Sequence, residues 1–101
     1  MNKRSVLAML ELQMLMTSPV KRMLIKNHIR FLKTHIRLQE QGQESRNLSD
    51  CLNERLNILY GSEKITRFEA AWIQQAIALL ESVENENQKT GDTASRQESG
   101  S

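Results

Sequence analysis

Between Pro19 and Gln41 the apolar residues return at helical intervals, and the positive charge falls opposite them. At about 100° per residue, Leu24, His28, Ile29, Phe31, Leu32, His35, Ile36 and Leu38 share one broad face. Arg22, Lys26, Arg30, Lys33 and Arg37 crowd a narrow arc behind it. The pattern predicts a long, sharply amphipathic helix with a basic back, which must lay its apolar side against other elements. Its start is marked by Thr17-Ser18-Pro19, where Ser18 can cap free amides and Pro19 suits the first turn.

The segments around it read as helices too. From Ser5 to Met16 apolar residues run almost all the way round, with Val6, Leu7, Leu10 and Met14 on one side and Met9, Leu12 and Met16 on another. A helix of that kind is buried or bound. After a polar connection from Gly42 to Asn47, Leu48, Leu52, Leu56 and Leu59 form one stripe. Tyr60-Gly61 is expected to end it, since glycine accepts the left-handed backbone of a helix C-terminus. Thr66-Arg67-Phe68-Glu69 is a capping box, after which Trp72, Ile73, Ala76, Ile77, Leu80 and Val83 make a buried face. Asn85 to Ser101 has no large apolar residue and cannot offset its own ordering entropy. The fold class expected is all-α: a small bundle of about four helices over residues 1–86, with a disordered polar tail over residues 87–101.

With 101 residues, one proline and few aromatics, the chain has room for one domain, and its Leu, Ile, Met and Ala favour helices over sheets. A core this small is often completed by dimerising or by docking on a partner, so a homodimer or an obligate protein partner is expected. The single cysteine, Cys51, excludes an intramolecular disulfide framework and has no CxxC or Cys/His spacing around it, which fits a reducing cytoplasm. Lys3 and Arg4 before the run Val6 to Met16 superficially resemble a signal peptide. Glu11 and Gln13 interrupt that run, no small-x-small cleavage site follows, and it falls far short of the ~20 residues of a membrane span. Export and membrane insertion are not expected.

Charge is distributed unevenly. No acidic residue lies between Leu12 and Gln39, where Lys21, Arg22, Lys26, Arg30, Lys33 and Arg37 occur, and acidic residues outnumber basic ones from Glu40 onward. Like charges at i,i+4 cost a few tenths of a kcal/mol each, so Arg22, Lys26 and Arg30 repel one another unless something offsets them. The candidates are nucleic-acid phosphates, an acidic protein surface (including this chain's own C-terminal half) or anionic lipid. The leading expectation is a helical regulator that holds DNA or RNA backbone through Arg22, Lys26, Arg30, Lys33 and Arg37. The alternative is an adaptor, anti-activator or secretion-type chaperone that docks a partner through Met9, Leu12 and Met16, since unbranched thioethers re-pack readily against varied apolar surfaces. Lipid is disfavoured because the first and third helices cover the apolar face of the second.

Other functions find little in the residues. A helix-turn-helix over Leu48–Tyr60 and Thr66–Glu86 has too long a turn and too apolar a second helix. Phe31, Phe68 and Trp72 lie on apolar faces and offer no stacking platform for RNA. His28 and His35 are seven residues apart, which stacks them roughly 10 Å apart along one helix, too far to share a metal, and a hydrogen-bonded core or interface role is expected for both. Cys51 is assigned to packing. No cofactor, no metal and no catalytic residues are expected, and the protein is read as not an enzyme.

Overall fold

The computed structural model describes the backbone of residues 2–100 and the side chains of residues 2–86. The disordered tail expected over residues 87–101 falls on residues whose side chains lie outside those described. The elements are α1 (Lys3–Leu15), α2 (Pro19–Glu40), α3 (Leu48–Gly61) and α4 (Arg67–Gly100), and no strand occurs among the described residues. The protein is an all-α bundle.

Each helix starts for a local reason, with one exception. Asn2 caps α1 by accepting the Ser5 amide at 2.9 Å, so the helix opens two residues earlier than its apolar pattern indicated. Ser18 accepts the Lys21 amide and Pro19 follows it at the start of α2. The Thr66 capping box forms as expected: the Glu69 amide donates to Thr66 Oγ1 at 3.2 Å, and the Thr66 amide donates to Glu69 Oε1 at 3.2 Å. Asn47 stands at the cap position of α3 without a side-chain hydrogen bond there. Glu84 of α4 takes over that role, accepting the Leu48 amide at 2.9 Å and the Ser49 hydroxyl.

The helix ends correct one expectation. Gly42 (φ 74°) follows α2 in the left-handed region. Gly61, in contrast, is the last helical residue of α3, and the left-handed position is taken by Glu63 (φ 55°), two residues further on. The helix runs through its glycine and closes around Glu63, where the Lys64 amide donates to the Leu59 carbonyl at 3.1 Å and the Glu63 amide to that of Tyr60 at 3.2 Å.

Paired ends define the topology. Lys3 Nζ reaches Gln39 at 2.9 Å, Arg4 pairs with Glu40, and Arg22 reaches the carbonyl of Leu15, so α1 and α2 form an antiparallel hairpin. The Glu84 cap on Leu48 sets α3 antiparallel to α4 in the same way. Helix α2 packs on all three others, α1 also meets α4, and α1 and α3 do not approach each other.

The core draws on all four helices. Val6 and Leu10 of α1, Ile25, Ile29, Leu32 and Ile36 of α2, and Leu48, Leu52 and Leu56 of α3 are buried with Trp72, Ile73, Ala76, Ile77, Leu80 and Val83 of α4. Burial on α2 is rotated from the face read in the sequence. Ile25, absent from that reading, is fully buried, whereas Leu24, Phe31, His35 and Leu38 are only half-buried at the margin. The displacement follows from the hairpin, since α1 covers one flank of α2 and draws the buried stripe toward it.

Candidate functional site

The basic arc of α2 divides into residues the fold uses and residues it leaves free. Arg22 is half-buried and closes the end of α1: its Nη2 donates to the carbonyl of Leu15 at 2.8 Å and reaches that of Thr17 at 3.4 Å, and its Nε reaches Met14 at 3.4 Å. The Leu15 carbonyl is one that a helix C-terminus leaves open, that of Met14 also accepts from the Thr17 amide and hydroxyl, and a cation complements the dipole there. Lys33 pairs with Glu11 of α1 at 2.8 Å. Its offsetting charge therefore comes from α1 rather than from the acidic C-terminal half. Lys26, Arg30 and Arg37 are exposed and have no carboxylate partner among the described residues. They share the outer side of α2 with Asn27 and Thr34, both exposed.

The apolar residues of α1 divide similarly. Val6 and Leu10 are buried and Leu7, Met9 and Met14 are half-buried, but Leu12 is 59% and Met16 80% exposed. They have company at the corner where α1 turns into α2: Leu15 is 59%, Val20 69% and Met23 75% exposed. Five large apolar side chains within twelve positions of one another, at the end of α1 and the start of α2, each keep more than half their surface in water, a density of exposed apolar residues that isolated surface positions do not show. Lys26 lies one helical turn beyond Met23 and Arg30 one turn further, so along the exposed side of α2 the apolar residues give way to the free cations. Leu15, Val20 and Met23 were not singled out in the sequence, where Val20 and Met23 lie among charged residues and their exposure depends on which flank of α2 the hairpin covers.

A second polar feature is interior. His28, 3% exposed, accepts a hydrogen bond from Arg55 Nε at its Nδ1 (3.0 Å), which places the proton of the neutral ring on Nε2, donated to Glu69 at 2.8 Å. Glu69 in turn holds the Thr66 cap, so α2, α3 and the start of α4 are tied through one imidazole. Burial holds His28 below its ordinary pKa; Glu69 opposes that shift and the Arg55 charge adds to it. Burial alone would raise Glu69, but the hydrogen bonds from His28 and Thr66 outweigh it and leave the carboxyl below its ordinary value. His35, half-buried, donates to the carbonyl of Phe31 at 3.0 Å and stacks on that ring at 4.0 Å. Burial pushes the Cys51 thiol up, against a nucleophilic role.

Among the described residues no group of three His, Cys, Asp or Glu side chains converges as a metal site, and no helix is long and apolar enough to cross a membrane. Fold and surfaces together define a small four-helix protein with an open apolar corner and a basic outer strip. Comparison with protein-family models, curated proteins and solved structures finds no match to this chain.

Proposed function

We propose that this protein is a non-enzymatic docking module whose α1–α2 corner receives an amphipathic helix from an acidic protein partner. The observation that carries this reading is the exposure of Leu12, Leu15, Met16, Val20 and Met23, all in the last turn of α1, the bend after it or the first turns of α2. Burying such side chains against a partner contributes about 25 cal/mol per Å² of apolar surface, and a helix laid in a groove recovers it with few contacts. Charge selects the partner. Lys26 and Arg30 flank the patch with no acid nearby on α2, so a second copy approaching by the same corner meets like charge, whereas an acidic helix is steered in.

The test is titration of the full chain with a synthetic helix bearing a leucine stripe flanked by glutamate, and with its lysine-flanked counterpart. The acidic peptide binds, less tightly as salt rises, and the triple substitution Leu12→Ser, Met16→Ser, Met23→Ser abolishes binding while far-UV circular dichroism stays helical. Equal binding of both peptides, or of neither, refutes the reading.

A second reading rests on Lys26, Arg30 and Arg37, which have no internal partner and lie with Asn27 and Thr34 on one side of a straight helical run. That side suits nucleic-acid phosphates, which basic and polar groups hold without any particular fold. Duplex DNA that binds where the acidic helix does not favours this second reading.

A further inference from the structure

On the other flank of α2, facing α3, lies a cleft of about 260 Å³ lined by Phe31, His35, Arg55, Ile58 and Leu59, with Cys51, Glu54 and Arg46 at its edge. It is separate from the docking corner, because α1 does not reach α3. Its lining sets the apolar Phe31, Ile58 and Leu59 beside the charged Arg46, Glu54 and Arg55. A cavity of about 150 Å³ is enough to hold benzene, so this one admits a single ring or a branched chain with a polar head.

The cleft's polar group is Arg55, which is held from two sides and open on the third. Its Nε donates to His28, and its guanidinium lies 4.7 Å from the centre of the Phe31 ring. Its two terminal nitrogens form no hydrogen bond with any described residue, and neither is a buried orphan, so both face solvent in the cleft. The nearby carboxylates are committed elsewhere: Glu44 and Glu54 pair with Arg46, and Glu69 is divided between His28 and Thr66. Arg55 is thus a half-buried cation with no carboxylate partner, held at its Nε by His28 and over the Phe31 ring, with its terminal N–H donors left unpaired where it lines the cleft. A guanidinium in that state matches one ligand chemistry well, a carboxylate taken bidentately.

We infer that the α2–α3 cleft binds a carboxylate carried on an aromatic or branched apolar body, with Arg55 holding the carboxylate and Phe31, Ile58 and Leu59 holding the body. Such a carboxylate belongs either to a free small acid or to the C-terminus of a peptide ending in an apolar residue, and the two sources share the same recognition. This inference is independent of the docking corner.

The experiment follows ¹⁵N-labelled full-length protein by NMR during titration with phenylacetate, phenylacetamide and acetyl-Leu-Phe bearing a free C-terminus. Phenylacetate or the peptide, whichever source is correct, shifts the amides of His35, Ile58 and Leu59 and the Arg55 side-chain Nε–H to saturation, and the amide analogue binds at least about tenfold more weakly. Arg55→Lys, which keeps the charge and loses the fork, weakens the acid by about tenfold or more. Because Arg55 also supports His28, Ile58→Glu serves as the second variant: it places a repelling charge at the exposed mouth and weakens the acid without touching the buried network. Binding of phenylacetate and phenylacetamide with equal affinity, absence of shifts with both acids, or indifference of acid binding to Ile58→Glu overturns the inference.

Discussion

His28 and Glu69 stand 41 positions apart in the chain and 2.8 Å apart in the fold, the imidazole Nε2–H donating to the carboxylate while Arg55 donates to the opposite ring nitrogen. The ring is held neutral between a cation and an anion. Protonating it would turn the Arg55 contact into a buried repulsion.

Stability should therefore fall with acid, and the sign follows from both partners. The folded-state pKa of His28 is below its ordinary 6.5, so the unfolded chain takes up a proton first as pH falls through that value. The folded-state pKa of Glu69 is below its ordinary 4.5, so its contribution too is present above that value and is lost as pH falls further. Urea midpoints measured from about pH 7.5 down to about pH 5 should decline in the wild type. His28→Gln should flatten that decline at the cost of a lower midpoint throughout. A wild-type midpoint that rises over this range contradicts the assignment.

The cap supplied by Glu84 gives a second expectation. Glu84→Ala removes the acceptor for the Leu48 amide and the Ser49 hydroxyl, and losing a cap of this kind costs about 1–2 kcal/mol. Hydrogen exchange should quicken first at Leu48 and Ser49, and Glu84→Asp should not restore protection, because the shorter side chain falls short of α3.

Core and docking surface should separate under substitution. Ile25→Ala, at a fully buried position, is expected to cost about 2–5 kcal/mol. Met16→Ser and Met23→Ser, at exposed positions, should change thermal stability by no more than about 0.5 kcal/mol. If the methionine variants unfold the protein, the corner belongs to the core and the proposed docking reading fails.

The basic arc should separate in the same way. Arg22→Gln removes the closure of α1 and should destabilise by about 1 kcal/mol, reduced from a fully buried charged bond because the group is half exposed. Lys26→Gln, Arg30→Gln and Arg37→Gln should leave the melting temperature unchanged. If duplex DNA is bound, three free cations give a slope of log affinity against log salt of about −2.7. A slope near −4.5, the value for five, would mean that Arg22 and Lys33 abandon their internal partners on binding.

What could be read in advance follows the range of the interaction. The capping box at Thr66, the start at Ser18-Pro19, the leucine stripe of α3 and the buried face from Trp72 to Val83 are each written within a few residues, and the structure holds them where periodicity placed them. The burial of Ile25 was not legible, because the wheel shows which residues are apolar but not which flank α1 will cover. Glu84 and Leu48 are 36 positions apart, and Arg55 and His28 are 27 apart. Neither pair leaves a local pattern, so the cap and the buried network come only from the packing of whole helices. The same holds for Arg22 and Lys33: the sequence shows five cations on an arc, and only the hairpin separates those two from the three left free.

The guanidinium of Arg22 that closes α1 also ties the end of that helix to the first turns of α2. If the exposed apolar side chains beside that bend receive a partner as proposed, this tie reduces the entropy lost in ordering them. Removing that guanidinium would loosen the bend itself, while Lys3–Gln39, Arg4–Glu40 and Glu11–Lys33 would still hold the two helices side by side. Affinity at this corner would then depend on a residue that never touches the guest.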